Sequence, residues 1–227
     1  MSDNINFDDY EAEYINIMEK QHKVFGNISY YSEQKAIICN KILKYDNIIN
    51  ILEFGCGVGR NLPFLQKAFK TSLIYASDIS SKSLQTVKKS FKEIIVLEDN
   101  ELYSEKYYGK FDFIFIAGVY HHIKPELRNN ITKRIYKLLN VGGVVICFEH
   151  NPYNPITRYM VNTCEFDKDA VLLNKKELIK IFTNNNYLYF NSGYMLFVPP
   201  KLKLLNFIEK YIKYIPLGGQ YYVAFKK

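Results

Sequence analysis

From residue 48 onward, short apolar runs alternate with stretches of helical spacing, and that alternation leaves the chain few folds to choose from. The runs are IINILEF (48–54), SLIYASD (72–78), EIIVLED (93–99), FDFIFIAGV (111–119) and VVICFEH (144–150). Between them lie NLPFLQKAFK, SSKSLQTVKKSF and PELRNNITKRIYKLL, which read as helices. Strands without a polar face must be covered on both sides, the condition met by a parallel sheet with helices packed on each face. A later helix, KKELIKIFTNN, precedes YLYFNSGYMLF, and QYYVAFK (220–226) closes the chain with strand character.

Residues 5–47 read as two helices broken at Gly26–Ser29, with Tyr14, Ile17, Met18 and Phe25, then Ile37, Ile38 and Ile42, near helical spacing. No Pro- or Ser-rich linker divides the 227 residues, so one domain is expected. Its parts are an N-terminal helical cap (1–47), a cofactor-binding core (48–150) and an acceptor-side C-terminal part (151–227). The formal net charge of +7 raises nucleic acid as a partner, but no block of five like charges and no arginine-rich run accompanies it. A small-molecule or lipid-linked partner is therefore preferred. Cys39, Cys56, Cys147 and Cys164 form no C-x-x-C pair, and Cys56 and Cys147 read as small buried residues of a reduced, cytoplasmic protein. The opening MSDNINFDDYEAEY lacks the apolar centre of a signal peptide. No segment approaches the ~20 apolar residues that span a bilayer.

The sharpest chemical signal is ILEFGCGVGRNL. Gly55, Gly57 and Gly59 form G-x-G-x-G between a strand and a helix, where backbone turns tightly and a ligand approaches the main chain. A dinucleotide fingerprint, G-x-G-x-x-G, would need glycine at position 60, which is Arg60. Glu53, two residues before the loop, would repel a pyrophosphate and attract a cationic ligand. Asp78 ends the second run 21 residues after Gly57 (78 − 57), the spacing at which an acid takes both hydroxyls of an adenosine ribose. Asp78 as a helix N-cap is the alternative, with Ser80 the better placed cap. Asp99 at the end of the third run is positioned to accept from an adenine amino group, and Ala117 and Gly118 leave room after the fourth.

These motifs, ILEFGCGVG, ASDIS, LEDN, FDFIFIAGVYHHI and LLNVGGVVICFEH in this order over residues 48–150, resemble the class I S-adenosylmethionine-dependent methyltransferases. The resemblance implies an α/β, Rossmann-like doubly wound sheet of seven mostly parallel strands with an antiparallel last strand, QYYVAFK. N-terminal helices and a helical insertion before the last strand complete that picture. It also implies S-adenosyl-L-methionine as cofactor, contacted by Glu53, Gly55, Cys56, Gly57, Asp78, Ile79, Asp99, Asn100, Ala117 and Gly118. FDDYEAEY is similar to the segment in which a tyrosine matching Tyr14 closes over the cofactor. LEDNELY departs from the family by lacking Leu-Pro after the acid. Downstream, EHNPYNPITRYMVNTCEFDKDAVLL, LFVPPKL and IPLGGQYYV resemble a bacterial subgroup of surface-polysaccharide and glycolipid gene clusters, which implies a sugar, sugar-nucleotide or lipid-linked acceptor.

Methyl transfer asks the protein mainly for alignment. A hydroxyl acceptor also needs a base, for which His121, His122, Glu149 and His150 are candidates at the ligand edge of the sheet. A packing or loop-anchoring role for the histidines is the alternative. No metal is expected, since adjacent histidines are poorly placed to bind one ion together. Pro152 and Pro155 stiffen the loop after strand five, where Asn151, Asn154 and Arg158 are candidate acceptor ligands, or else a capped turn opening a helix. KLKLLNFIEKYIKYIP (201–216) reads as an amphipathic helix that covers the sheet or pocket, with peripheral membrane contact as the sharper alternative. The functional expectation is methyl transfer to a small-molecule or glycan-type acceptor, oxygen before nitrogen. Its rivals are a nucleic-acid methyltransferase, a dinucleotide oxidoreductase and a non-catalytic partner subunit.

Overall fold

The computed structural model describes residues 28–44, 47–198, 204 and 207–227. Its elements run α1 (Ile28–Ile42), β1 (Asn50–Phe54), α2 (Leu62–Ala68), β2 (Leu73–Ser77), α3 (Ser81–Ser90), β3 (Ile95–Leu97), α4 (Asp99–Leu102) and β4 (Phe111–Ala117). Then follow α5 (Pro125–Leu138), β5 (Leu139–His150), α6 (Pro155–Thr163), α7 (Lys175–Thr183), β6 (Leu188–Met195), α8 (Glu209–Ile212) and β7 (Gln220–Lys226). A 3₁₀ turn, Glu165–Asp167, lies between α6 and α7.

The strands form one seven-stranded sheet in the order β3-β2-β1-β4-β5-β7-β6. β1 pairs in parallel with β2 and β4, β2 with β3, and β4 with β5. β7 runs antiparallel to both its neighbours, β5 and β6. The strand order reverses between β1 and β4, and at such a switch point the loops leaving the carboxyl ends of the strands part to form a crevice.

Side chains of β4 alternate between the two faces, as the pleat requires. Ile114 and Ile116 join Leu52, Val145 and Phe225 beneath α5 and α7, which contribute Ile135, Leu138, Leu178 and Phe182. Phe113 and Phe115 join Ile51, Ile146 and Phe148 beneath α1, α2 and α3, which contribute Cys39, Leu65 and Val87. The helices start on local signals. Ser80 caps α3 by accepting from Ser83 N at 3.1 Å, and Asn174 with Glu177 forms a reciprocal capping box on α7.

Three expectations are corrected. β3 covers only Ile95–Leu97, because Asp99 opens α4, where its charge suits a helix N-terminus. β5 starts at Leu139 rather than Val144, taking Gly142 and Gly143 into the strand across an irregularity opposite Phe111–Phe113. A Cβ on Gly143 would lie 2.9 Å from Asn140 O and 3.0 Å from Phe111 O, so only glycine fits. Finally, in the 201–216 segment the described residues 207–216 form no continuous helix. Its described part contains only the one-turn α8, and Leu204, Tyr211 and Ile215 are exposed. Glu209 there accepts backbone N–H groups from Leu196, Phe197 and Val198, spending the segment's order on tying down the end of β6. Lys201 and Lys203, and the expected first helix with Tyr14, lie outside the described residues.

Phe182 of α7 stacks on Phe225 of β7 with centroids 4.3 Å apart and planes 7° from parallel. Phe182→Ala is expected to lower unfolding free energy in urea by roughly 3–5 kcal/mol. A loss below about 1 kcal/mol would show that α7 does not secure the reversed strand.

Candidate active site

After β1 the backbone reverses through the glycine loop, and the glycines are required for different reasons. Gly55 has φ of +72°, and a Cβ on it would stand 2.4 Å from Val119 Cγ2. Gly57 has φ of +51° with nothing within 4 Å of its missing Cβ, leaving open space beside the main chain. Gly55 N and Cys56 N donate to Ser77 O at 2.8 and 2.9 Å. Gly57 N donates to Asp78 Oδ2 at 2.7 Å, and Ser80 N to Oδ1 at 2.9 Å. Asp78 thus staples the loop to the tip of β2, while Ser80 is the N-cap.

A cavity of about 400 Å³ opens at this edge. Of the residues expected at the cofactor, Gly55, Cys56, Gly57 and Asp78 line it, as do Ile79, Asp99, Ala117 and Gly118. Glu53 and Asn100 do not line it. Sequence reasoning missed Arg60, Asn61, Tyr103 and Arg134, which also line the cavity. Arg134 lays its guanidinium 3.2 Å over the Tyr103 ring and 3.9 Å from the Asp99 carboxylate. No motif marks Arg134, which arrives from α5 through tertiary packing alone.

Glu53 is buried beneath the loop, its Oε1 accepting from Asn61 Nδ2 at 2.7 Å. Oε2 is buried without a hydrogen-bond partner among the described residues. Burial pushes this carboxyl up to about 8, against the opposing pull of the Asn61 bond and the Lys35 charge. The expected acid therefore sits behind the wall and reaches the cavity through Asn61.

At the other end, His122 alone of the candidate bases lines the cavity. Glu149 is buried and fully engaged: Oε1 accepts from Val119 N and Tyr120 N at 3.0 and 2.7 Å, and Oε2 lies 2.6 Å from His121 Nδ1. Burial alone would raise Glu149, but His121 holds it below the usual carboxylate range, so it anchors rather than accepts a proton. His121 is buried, and although burial disfavours its charge, Glu149 and Asp167 push it up to about 9. Burial, with the charge of His121, pushes His122 and His150 down to about 4, leaving both neutral at pH 7. The His150 ring lies 5.0 Å from that of His121.

The expectation that adjacent histidines would not converge is corrected. His121 Nε2 and His122 Nε2 each lie 3.5 Å from Asp167 Oδ1, a residue the sequence did not single out. The turn carrying Asp167 is held in place by Val171 N donating to His121 O at 2.8 Å and Arg128 donating to Val171 O at 2.6 Å. The expected acceptor ligands are corrected too. Asn151 is buried and donates to Pro216 O and Gly218 O, while Asn154 caps α6 through Thr157 N and donates to Leu217 O. Both tie loops together, because each carries the donor and acceptor that two crossing backbones need. Arg158 lies exposed on α6, outside the cavity lining.

A carboxyl raised from 4.5 to about 8 costs stability increasingly as pH climbs through that interval, because the folded state holds the proton the unfolded chain releases. Glu53→Gln should therefore gain thermal stability over the natural protein, little at pH 5 and most at pH 8. A difference in melting temperature that is flat or shrinking over that range would contradict the burial assigned to this acid.

Residues 52–145, from β1 into β5, match the family model Methyltransf_12, described as a methyltransferase domain. An uncharacterized protein of Rickettsia prowazekii is 27% identical over 191 residues, covering 77% of this chain and 76% of that protein. The human tRNA N(3)-cytidine methyltransferase METTL2B is 26% identical over 162 residues, covering 61% of this chain and 43% of its own length. Among solved structures, a Thermotoga maritima methyltransferase described as a possible histamine N-methyltransferase superposes with a TM-score of 0.66 at 18% identity, covering 96% of this chain and 98% of that one. An Archaeoglobus fulgidus S-adenosylmethionine-dependent methyltransferase gives 0.63 at 15% identity, covering 92% and 99%. With the glycine loop, the Asp78 staple and the sheet order in place, this match marks residues 52–145 as a methyltransferase domain, and the fold is that of S-adenosylmethionine-dependent methyltransferases, which implies S-adenosylmethionine as cofactor.

Proposed function

We propose that the chain methylates a small-molecule or glycan-type acceptor, a sugar, sugar nucleotide or lipid-linked saccharide, at oxygen in preference to nitrogen. The observation that carries this reading is one cavity running from the glycine loop to His122, a neutral imidazole at its far end. When bound, S-adenosylmethionine supplies an electrophilic methyl group on a sulfonium. Gly57 leaves the space that a Cβ would fill, and Asp78, at the tip of β2 beside that space, suits the ribose hydroxyls. Asp99 and Tyr103 suit the adenine end. Glu53, behind the wall and linked to the cavity by Asn61, suits the ammonium of the amino-acid end through its charge.

A hydroxyl must shed its proton to attack, whereas an amine needs only to arrive neutral. A histidine beside the acceptor space therefore supports oxygen. Exposed Tyr211, Tyr214 and Leu217 support a peripheral membrane contact for a lipid-linked acceptor. No helix of the described residues is long and apolar enough to cross a membrane. Buried Cys39, Cys56, Cys147 and Cys164, none of them in a disulfide, support a reducing, cytoplasmic setting.

A second reading, a nucleic-acid acceptor, draws on the two tRNA N(3)-cytidine methyltransferases among the relatives. Transfer of labelled methyl to saccharide acceptors but not to tRNA is expected. Labelling of tRNA alone would replace the first reading with the second. Asp78→Ala should weaken S-adenosylmethionine binding at least tenfold, about 1.4 kcal/mol, and lower the melting temperature by freeing Gly57 N. His122→Ala should instead cut turnover at least tenfold while cofactor affinity stays within twofold, by calorimetry. The reverse pattern in the two variants would exchange the ends of the cavity.

A further inference from the structure

Asp167 Oδ1 faces two imidazole nitrogens at once, His121 Nε2 and His122 Nε2, at 3.5 Å from each. The three atoms lie within 4.8 Å of one another. A charge-assisted N–H···O bond would close to about 2.7–2.9 Å. By contrast, two ligands of one tetrahedral ion, each bonded at about 2.0–2.2 Å, stand about 3.3–3.5 Å apart. Both histidine–Asp167 spacings are those of neighbours around a shared ion.

The surroundings agree. His121 turns its Nδ1 to Glu149 Oε2 at 2.6 Å, which orients the ring and directs Nε2 at the common point, the carboxylate–histidine–metal arrangement. Glu149 is itself fixed by the Val119 and Tyr120 amides. Bound through neutral imidazoles, a divalent ion would meet the two carboxylate charges of Glu149 and Asp167, which balance it. We propose that His121 Nε2, His122 Nε2 and Asp167 Oδ1 bind one divalent ion of the zinc class, with a fourth position open to the cavity that His122 lines. Two nitrogens and one carboxylate oxygen suit zinc or cobalt and not magnesium or calcium, which prefer oxygen. The open position takes an oxygen of the acceptor, where the ion would ease loss of the hydroxyl proton in place of the His122 imidazole. That clause rests on the acceptor reading given above, whereas ion binding does not depend on it.

The test uses the full chain with metal alone and no acceptor. After chelation and dialysis, the protein is titrated with cobalt(II) and, separately, zinc(II), followed by visible absorption and by elemental analysis of the dialysed product. One equivalent is expected, with the intense visible bands of four-coordinate cobalt, displaced by zinc. Asp167→Ala and His122→Ala should each weaken uptake at least tenfold while binding S-adenosylhomocysteine as the natural protein does, which shows that they are folded. Asp167→Glu, which keeps a carboxylate, should retain more metal than Asp167→Ala. No uptake by the natural protein, uptake equal in all variants, or only the weak bands of six-coordinate cobalt would overturn the site. Failure of the acceptor reading would leave these titrations unchanged.

Discussion

The bond from Gly57 N to Asp78 Oδ2, 2.7 Å long, holds the rest of the site together. A loop with left-handed glycines at alternate positions has few side chains to pack and would otherwise sample many conformations. Asp78 fixes it from the neighbouring strand, and Gly55 N and Cys56 N add bonds to Ser77 O beside it. The loop thereby becomes a rigid lip over the switch point of the sheet. Beneath it lies Glu53, whose burial is unfavourable until a cation comes near. That combination discriminates between ligands: a pyrophosphate gains nothing from such a carboxyl, whereas an ammonium beside it restores the charge that burial disfavours.

The other half of the cavity is organised by a second buried carboxylate. Glu149 takes two backbone amides and one imidazole, and so shapes the turn that presents His121 and His122. The segment from α6 to α7 then brings Asp167 over them, strapped by Arg128 and by the Val171 amide. Residues far apart in sequence thus meet at one point opposite the glycine loop, with Ala117 and Gly118 leaving space between the two ends.

How much of this was legible depended on how local the signal is. The strands β1, β2, β4 and β7 and the glycine loop were readable because apolar runs and turn glycines act within a few residues. The spacing from Gly57 to Asp78 was readable because each residue sits at the tip of its own strand, and the structure gives Asp78 a stapling role beside the ligand role proposed for it. Asn151 and Asn154 could not be assigned between acceptor ligand and capped turn, because the carbonyls they bind, at Pro216, Leu217 and Gly218, are more than sixty positions away. Arg134 and Asp167 were missed on similar grounds, since each enters the site from a different element with no motif around it. Gly142 and Gly143 precede the apolar run read as the fifth strand, and only the crowding of Gly143 against Phe111 shows why they belong within it.

A cationic donor settling on the loop should charge the buried Glu53 carboxyl, which burial otherwise holds protonated up to about pH 8. Calorimetric titration with S-adenosylmethionine at pH 7, repeated in buffers of different ionisation enthalpy, reads the protons exchanged on binding. The account predicts net proton release by the natural protein and loss of that release in Glu53→Gln. Binding that exchanges no protons in either protein would contradict it.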